Sequence, residues 1–133
     1  MWNFEDHSMT GKKIIKLAAI LGACAVGIGA FGAHGLKEIL TETGRSETFE
    51  TGVKYHFYHS LAIFLIGILA LIKPEWKKLS TAAILMIIGI LIFSGSLYVL
   101  SLTGITWLGA ITPLGGVALI AGWVLVIVAA SKN

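Results

Sequence analysis

Polar residues fall in clumps along this chain, and four long apolar runs lie between the clumps, at about residues 14–33, 53–72, 79–102 and 107–130. Each approaches the roughly 20 predominantly apolar residues that carry a helix across a bilayer. The pattern predicts an all-α integral membrane protein, a bundle of four transmembrane helices. It divides the chain into an N-terminal segment, 1–12, disordered or tag-derived, and a single membrane domain, 13–131. The opening "MWNFEDHS" has no periodicity and is set aside from the functional reading.

The connections between the runs carry their own signals. In "LKEILTETG", Leu36, Ile39 and Leu40 form one apolar face, and Lys37, Glu38 and Glu42 form a polar one. That pattern predicts a short amphipathic helix lying on the membrane surface and ending at Gly44. Ser46 is the expected N-cap of the next helix, with Glu47 and Glu50 in its first turn. "KPEWKK" reads as a tight turn, with Pro74 just beyond the second span. Before the fourth run, Thr112 and Pro113 read as a cap and first helical position, which would leave "GITWLGAI" as irregular backbone within the membrane. A proline kink inside one longer helix is the alternative.

Composition agrees with the pattern: 56% of residues are hydrophobic and only 13% charged, and mean hydropathy is +0.88. A small water-soluble domain needs more charge to cover its surface. The placement of charge adds direction. Lys12, Lys13, Lys16, Lys73, Lys77, Lys78 and Lys132 fall on the side that holds both termini, against Lys37, Arg45 and Lys54 on the other, where Glu38, Glu42, Glu47 and Glu50 dilute them. The bias predicts both termini in the cytoplasm. The lipid bilayer is then the principal partner; no nucleic-acid module is present. The single cysteine excludes an intrachain disulfide. Cys24, in "LGAC", imitates a lipoprotein cleavage box, but apolar sequence continues past it where a polar tether would begin.

The first span is rich in small residues: Ala18 and Gly22, Ala23 and Gly27, and Ala25 and Gly29 are each four apart. In lipid, small residues let helix backbones approach. This predicts the packed central helix of the bundle, a pore lining being the lesser alternative.

Candidate chemistry gathers at one end. With four spans, His34, Tyr55, His56, Tyr58, His59, Ser94, Ser96, Tyr98, Thr103 and Thr112 all belong to the outer half of the membrane. Gly52, His56, His59, Ile63 and Gly67 share one helical face, and Ser94, Tyr98 and Ser101 form a second polar stripe. At 1.5 Å per residue, His59 sits roughly 9 Å deeper than Val53, and an ionisable group at such depth is a functional candidate. The ligand-site candidates are therefore His34, His56, His59, Tyr55, Ser94, Tyr98, Thr112 and Pro113. Each also has a plain reading. Tyr55 and Tyr58 suit an interfacial aromatic belt, the hydroxyls suit interhelical hydrogen bonds, and the histidines suit structural hydrogen bonds. His34, His56 and His59 offer imidazoles for a transition metal, but their spacing lacks the regularity of an established metal motif.

Four stretches, "GAFGAHGL", "TGVKYHFYHSLA", "FSGSLYVLSLTG" and "LGAITPLGGVALIAGW", resemble in sequence and order the UPF0382 family, catalogued as domain of unknown function 423. The resemblance implies a four-helix protein of the bacterial cytoplasmic membrane. It brings no reaction, cofactor or catalytic residue to carry over.

Three functions fit these features. The first is a non-enzymatic membrane component that forms homo-oligomers or supports a partner complex. The second is a small-molecule or ion site in the outer half of the bundle, serving transport or sensing. The third is a redox subunit holding haem, metal or quinone through histidines. A Ser-His-Asp hydrolase is disfavoured: only Glu47 or Glu50 of the outer loop falls near the histidines, and no nucleophile elbow accompanies them.

Overall fold

The structure, a computed structural model, describes residues 8–131. Five α-helices follow in order: α1 (Gly11–Ala33), α2 (Lys37–Thr43), α3 (Ser46–Ile72), α4 (Lys78–Thr103) and α5 (Thr112–Ser131). A 3-10 turn, Thr106–Ala110, leads into α5. No strand occurs among the described residues. Four helices are long and apolar enough to cross a membrane: α1, α3, α4, and α5 together with its 3-10 turn.

Sequence chemistry explains the helix ends. Thr10 caps α1, its hydroxyl accepting the N–H of Lys13 at 3.2 Å. The Met9 N–H donates to Ser80 Oγ on α4 at 2.7 Å. Residues 9–12 are thus structured, so the expected domain boundary at 13 falls inside the first helix; residues 1–7 lie outside the described residues. The short surface helix α2 ends at Gly44, as expected. Gly44 adopts φ 67°, its N–H bonds Thr41 O, and Arg45 N–H reaches back to Leu40 O at 3.0 Å. This closes a Schellman motif that only a residue tolerant of left-handed backbone completes without strain. Leu40 is buried beneath α2, whereas Ile39 is exposed.

Two local expectations need correction. Ser46 is the first residue of α3, not its cap; Arg45 occupies the cap position and gives no side-chain hydrogen bond. The Schellman turn fixes Arg45 in the connection, and α3 starts immediately after it. The fourth span is broken, not kinked: the 3-10 turn ends at Ala110, and α5 starts at Thr112. Pro113 is its second residue, where a missing N–H costs no helical bond.

The order of packing also differs from expectation. α1 packs on α3, α3 on α4, and α4 on α5, and α1 touches α4 only slightly. The spans form an open row, with α3 and α4 central and α1 at one edge. On α1, Ala18 and Ala25 are buried and Gly22 and Gly29 are half-buried, whereas Ala23 and Gly27 are exposed. The small residues bring this helix close to one neighbour and do not make it the centre. The tighter approaches lie elsewhere. A Cβ on Gly67 would sit 3.0 Å from Ile15 N, one on Gly115 2.8 Å from Phe93 Cα, and one on Gly122 2.6 Å from Met86 Cγ. The buried core, including Ile14, Ile63, Met86 and Leu119, fills the middle of the row and the end that bears the termini. The polar residues gather at the other end, beside α2.

Candidate functional site

The face predicted for α3 is present: Gly52, His56, His59, Ile63 and Gly67 are all buried. At His56 and His59 this face turns toward α4 and α5, while at Gly67 it packs on α1. His59 Nδ1 lies 2.8 Å from the carbonyl oxygen of Tyr55. A carbonyl only accepts, so Nδ1 carries the proton. Nε2 then holds a lone pair, and Trp123 of α5 donates its indole N–H to it at 3.1 Å. Indole N–H is donor-only. The two bonds fix one neutral tautomer and use both nitrogens.

His56 differs. Its Nδ1 lies 2.8 Å from the Tyr98 hydroxyl on α4, and either atom can donate. Its Nε2 is buried without a hydrogen bond. Gly52 makes room for this pairing, since a Cβ there would stand 2.9 Å from Tyr98 Cε1. One turn along, Ser94 Oγ donates to Gly52 O at 2.6 Å. On the far side of α4, Ser96 Oγ meets Thr112 Oγ1 at 2.6 Å, joining α4 to the start of α5. Other hydroxyls stay within their helices: Ser60 bonds His56 O, Ser101 bonds Leu97 O and Thr103 bonds Val99 O.

The aromatic residues divide by exposure. Tyr55 and Tyr58 are 41% and 57% exposed, as a membrane-interface position requires. Tyr55 also packs on Phe93, ring centroids 4.7 Å apart. Trp107, in the 3-10 turn, is exposed, and Trp76 packs against the core at the opposite end.

The structure therefore brings together His56, Tyr98, Ser94 and Gly52 on one side, and His59, Tyr55 and Trp123 on another. His34 is not part of either group; it is exposed at the C-cap of α1. The three histidines do not form a ligand set: among the described residues, no group of three His, Cys, Asp or Glu side chains is placed to hold a metal. For His59 the reason is visible, since a metal or haem iron would have to displace Trp123 from Nε2. Pro113 is exposed at the helix start and contributes no polar contact. Sequence reasoning missed Trp123, read only as part of an apolar run; an indole amid aliphatic residues in a span was the available signal, because its N–H needs a partner.

A second feature at the same end lies on the opposite side of α3. The C-terminal part of α1, α2 and the first turns of α3 enclose a cavity of about 360 Å³, bordered by Lys37, Thr41, Ser46, Glu50 and Lys54. Two shallower cavities continue from it between α1 and α3, one of about 350 Å³ and one of about 210 Å³. His56 lines none of them.

Four apolar helices, tied by interhelical hydrogen bonds at one end, define an integral membrane protein of the small four-span class. The chain belongs to the UPF0382 family: residues 28–116 match the model described as "Protein of unknown function (DUF423)". It is 50% identical over 121 residues to the UPF0382 membrane protein YwdK of Bacillus subtilis, covering 91% of this chain and 98% of that one. A UPF0382 membrane protein of Staphylococcus haemolyticus is 44% identical, over 89% of this chain and 98% of its own. One from Haemophilus influenzae is 38% identical, over 84% and 88%. No solved structure matches.

Proposed function

We propose that the protein is a non-enzymatic component of the bacterial plasma membrane that acts by packing, in the first instance against a second copy of itself, with both termini in the cytoplasm. The observation that carries this reading is the use of the polar groups. His59, Ser94, Ser96, Thr112 and Trp123 are all engaged in bonds that hold one helix to another or a ring to its own helix. A reacting group needs a free lone pair or proton aimed at a substrate, and these residues have theirs committed.

The contact surface follows from α1. Ala23 and Gly27 are four residues apart on the side of α1 turned away from the core, and a Cβ at Gly27 would meet nothing within 4 Å. In lipid, small residues on an outward face suit close approach of another helix. Gly27→Leu is expected to abolish the oligomer in native mass spectrometry from mild detergent while leaving the monomer folded. Ala18→Leu, at a buried position, is expected to destabilise the monomer itself. An assembly of unchanged mass in Gly27→Leu sinks the reading.

One observation favours a ligand site instead. His56 Nε2 is buried and unpartnered, and such a group in a membrane interior costs free energy unless something satisfies it. A small polar molecule bound there would use the same histidine without any reaction.

A further inference from the structure

We infer that the trench between α1 and α3 binds one anionic phospholipid of the bilayer, with its phosphate in the cavity beside α2 and an acyl chain lying along the trench. The inference goes beyond the packing role; Ala23, at the edge of the packing face, also borders the lower end of the trench.

Three properties select this occupant. The first is continuity. The cavity beside α2 shares Gly29, Val53 and Lys54 with the next one down, which shares Val26 and Phe57 with the third. Gly22 and Gly29 set the floor on α1, so α1 and α3 stand close without side chains filling the space between them.

The second is length. From Val53 at the top to Phe64 at the bottom the trench runs through eleven steps of α3, or about 16 Å at 1.5 Å per residue. One leaflet of the hydrocarbon core is about 15 Å, half of the full thickness. The trench stops where an acyl chain of that leaflet stops. A partner helix crossing the membrane would need a groove twice as long.

The third is a change of chemistry along the path. Below Lys54 the walls are Ala25, Val26, Ala30, Phe57 and Phe64, with the hydroxyl groups of Tyr58 and Ser60 the only polar side-chain groups. At the top, Lys37 and Lys54 meet Thr41 and Ser46 around the wide cavity, with Glu50 the one acidic neighbour. Among the described residues, no ion pair holds either lysine. The uncapped start of α3 at Ser46 opens into the same cavity, adding N–H groups and the positive end of the helix dipole. Two ammonium groups, the Ser46 hydroxyl and a helix N-terminus above an apolar slot fit a phosphodiester above a hydrocarbon chain; the Thr41 hydroxyl is already donated to Lys37 O at 2.7 Å.

The test is native mass spectrometry of the protein released from nanodiscs of equal parts phosphatidylglycerol and phosphatidylcholine. The wild type is expected to retain one lipid, with phosphatidylglycerol preferred. Each of Lys37→Gln and Lys54→Gln is expected to lower that preference roughly fivefold, the worth of one basic side chain near an anionic headgroup, and Glu50→Gln is expected to raise it. These residues are exposed, so the variants fold. Val26→Trp, which fills the trench, is expected to remove the lipid without changing the helical circular dichroism signal. The inference fails if the wild type carries no lipid, or if the lysine variants keep the same preference. It also fails if Val26→Trp changes the oligomer mass and leaves the lipid in place, because the trench would then hold a second copy of the chain.

Discussion

His59 and Trp123 stand 64 positions apart in the chain and 3.1 Å apart in space. Trp123→Phe keeps the ring in place and removes the N–H, leaving Nε2 of a buried histidine unpaired. The expected loss is about 1 kcal/mol, the usual range for an interhelical hydrogen bond in a membrane protein, read as earlier unfolding in an SDS titration. Trp107→Phe, at an exposed indole, is expected to change nothing. The spacing of His56 and His59 made their shared face legible in the sequence, because helical geometry alone places positions three or four apart on one side. Their partners were not legible. Whether Tyr98 or some other hydroxyl meets His56 depends on the register between α3 and α4, which close packing of side chains such as Tyr98 against Gly52 decides. The metal reading of the three histidines joined two buried residues of α3 to His34, which is exposed at the end of α1.

Helix limits were readable where a residue's own backbone preference sets them. Gly44 and Gly104 both end helices in the left-handed conformation, and α2 appears where the apolar–polar alternation placed it. The start of α3 was misread by one residue, since Arg45 holds the cap position without a capping side chain. The glycines that bring helices together were harder to find, because a small residue in a span marks a close approach only if another backbone arrives there. The prominent stripe on α1 is half exposed, whereas Gly115 and Gly122, one pair among many small residues, lie against α4. Gly115→Ala would set a methyl group against the backbone of Phe93, and the cost of such overpacking is about 1–3 kcal/mol. Gly95→Ala, with nothing within 4 Å of the added Cβ, is expected to be neutral or stabilising. Parallel thermal unfolding in detergent separates the two.

For the whole molecule, the number and length of the spans were legible because bilayer thickness imposes them on any sequence. The arrangement of the spans was not: hydropathy fixes that a helix crosses, and only side-chain fit fixes which helix it meets. Orientation can be measured directly, because Cys24 is the single cysteine. In a Cys24→Ser background, an impermeant maleimide added to intact cells is expected to label Thr43→Cys at the end of α2. Ser131→Cys is expected to react only after permeabilisation, and the opposite result would reverse the proposed topology. The open row of helices also bears on how the chain is made. Each span except the last packs on the next one to emerge from the ribosome: α1 on α3, α3 on α4, α4 on α5. No early span has to wait in lipid for a distant partner. Contacts between successive segments close the shortest loops and carry the smallest entropic cost. The protein can therefore be assembled in the bilayer in the order of its synthesis, each newly inserted helix docking on the edge left by the one before.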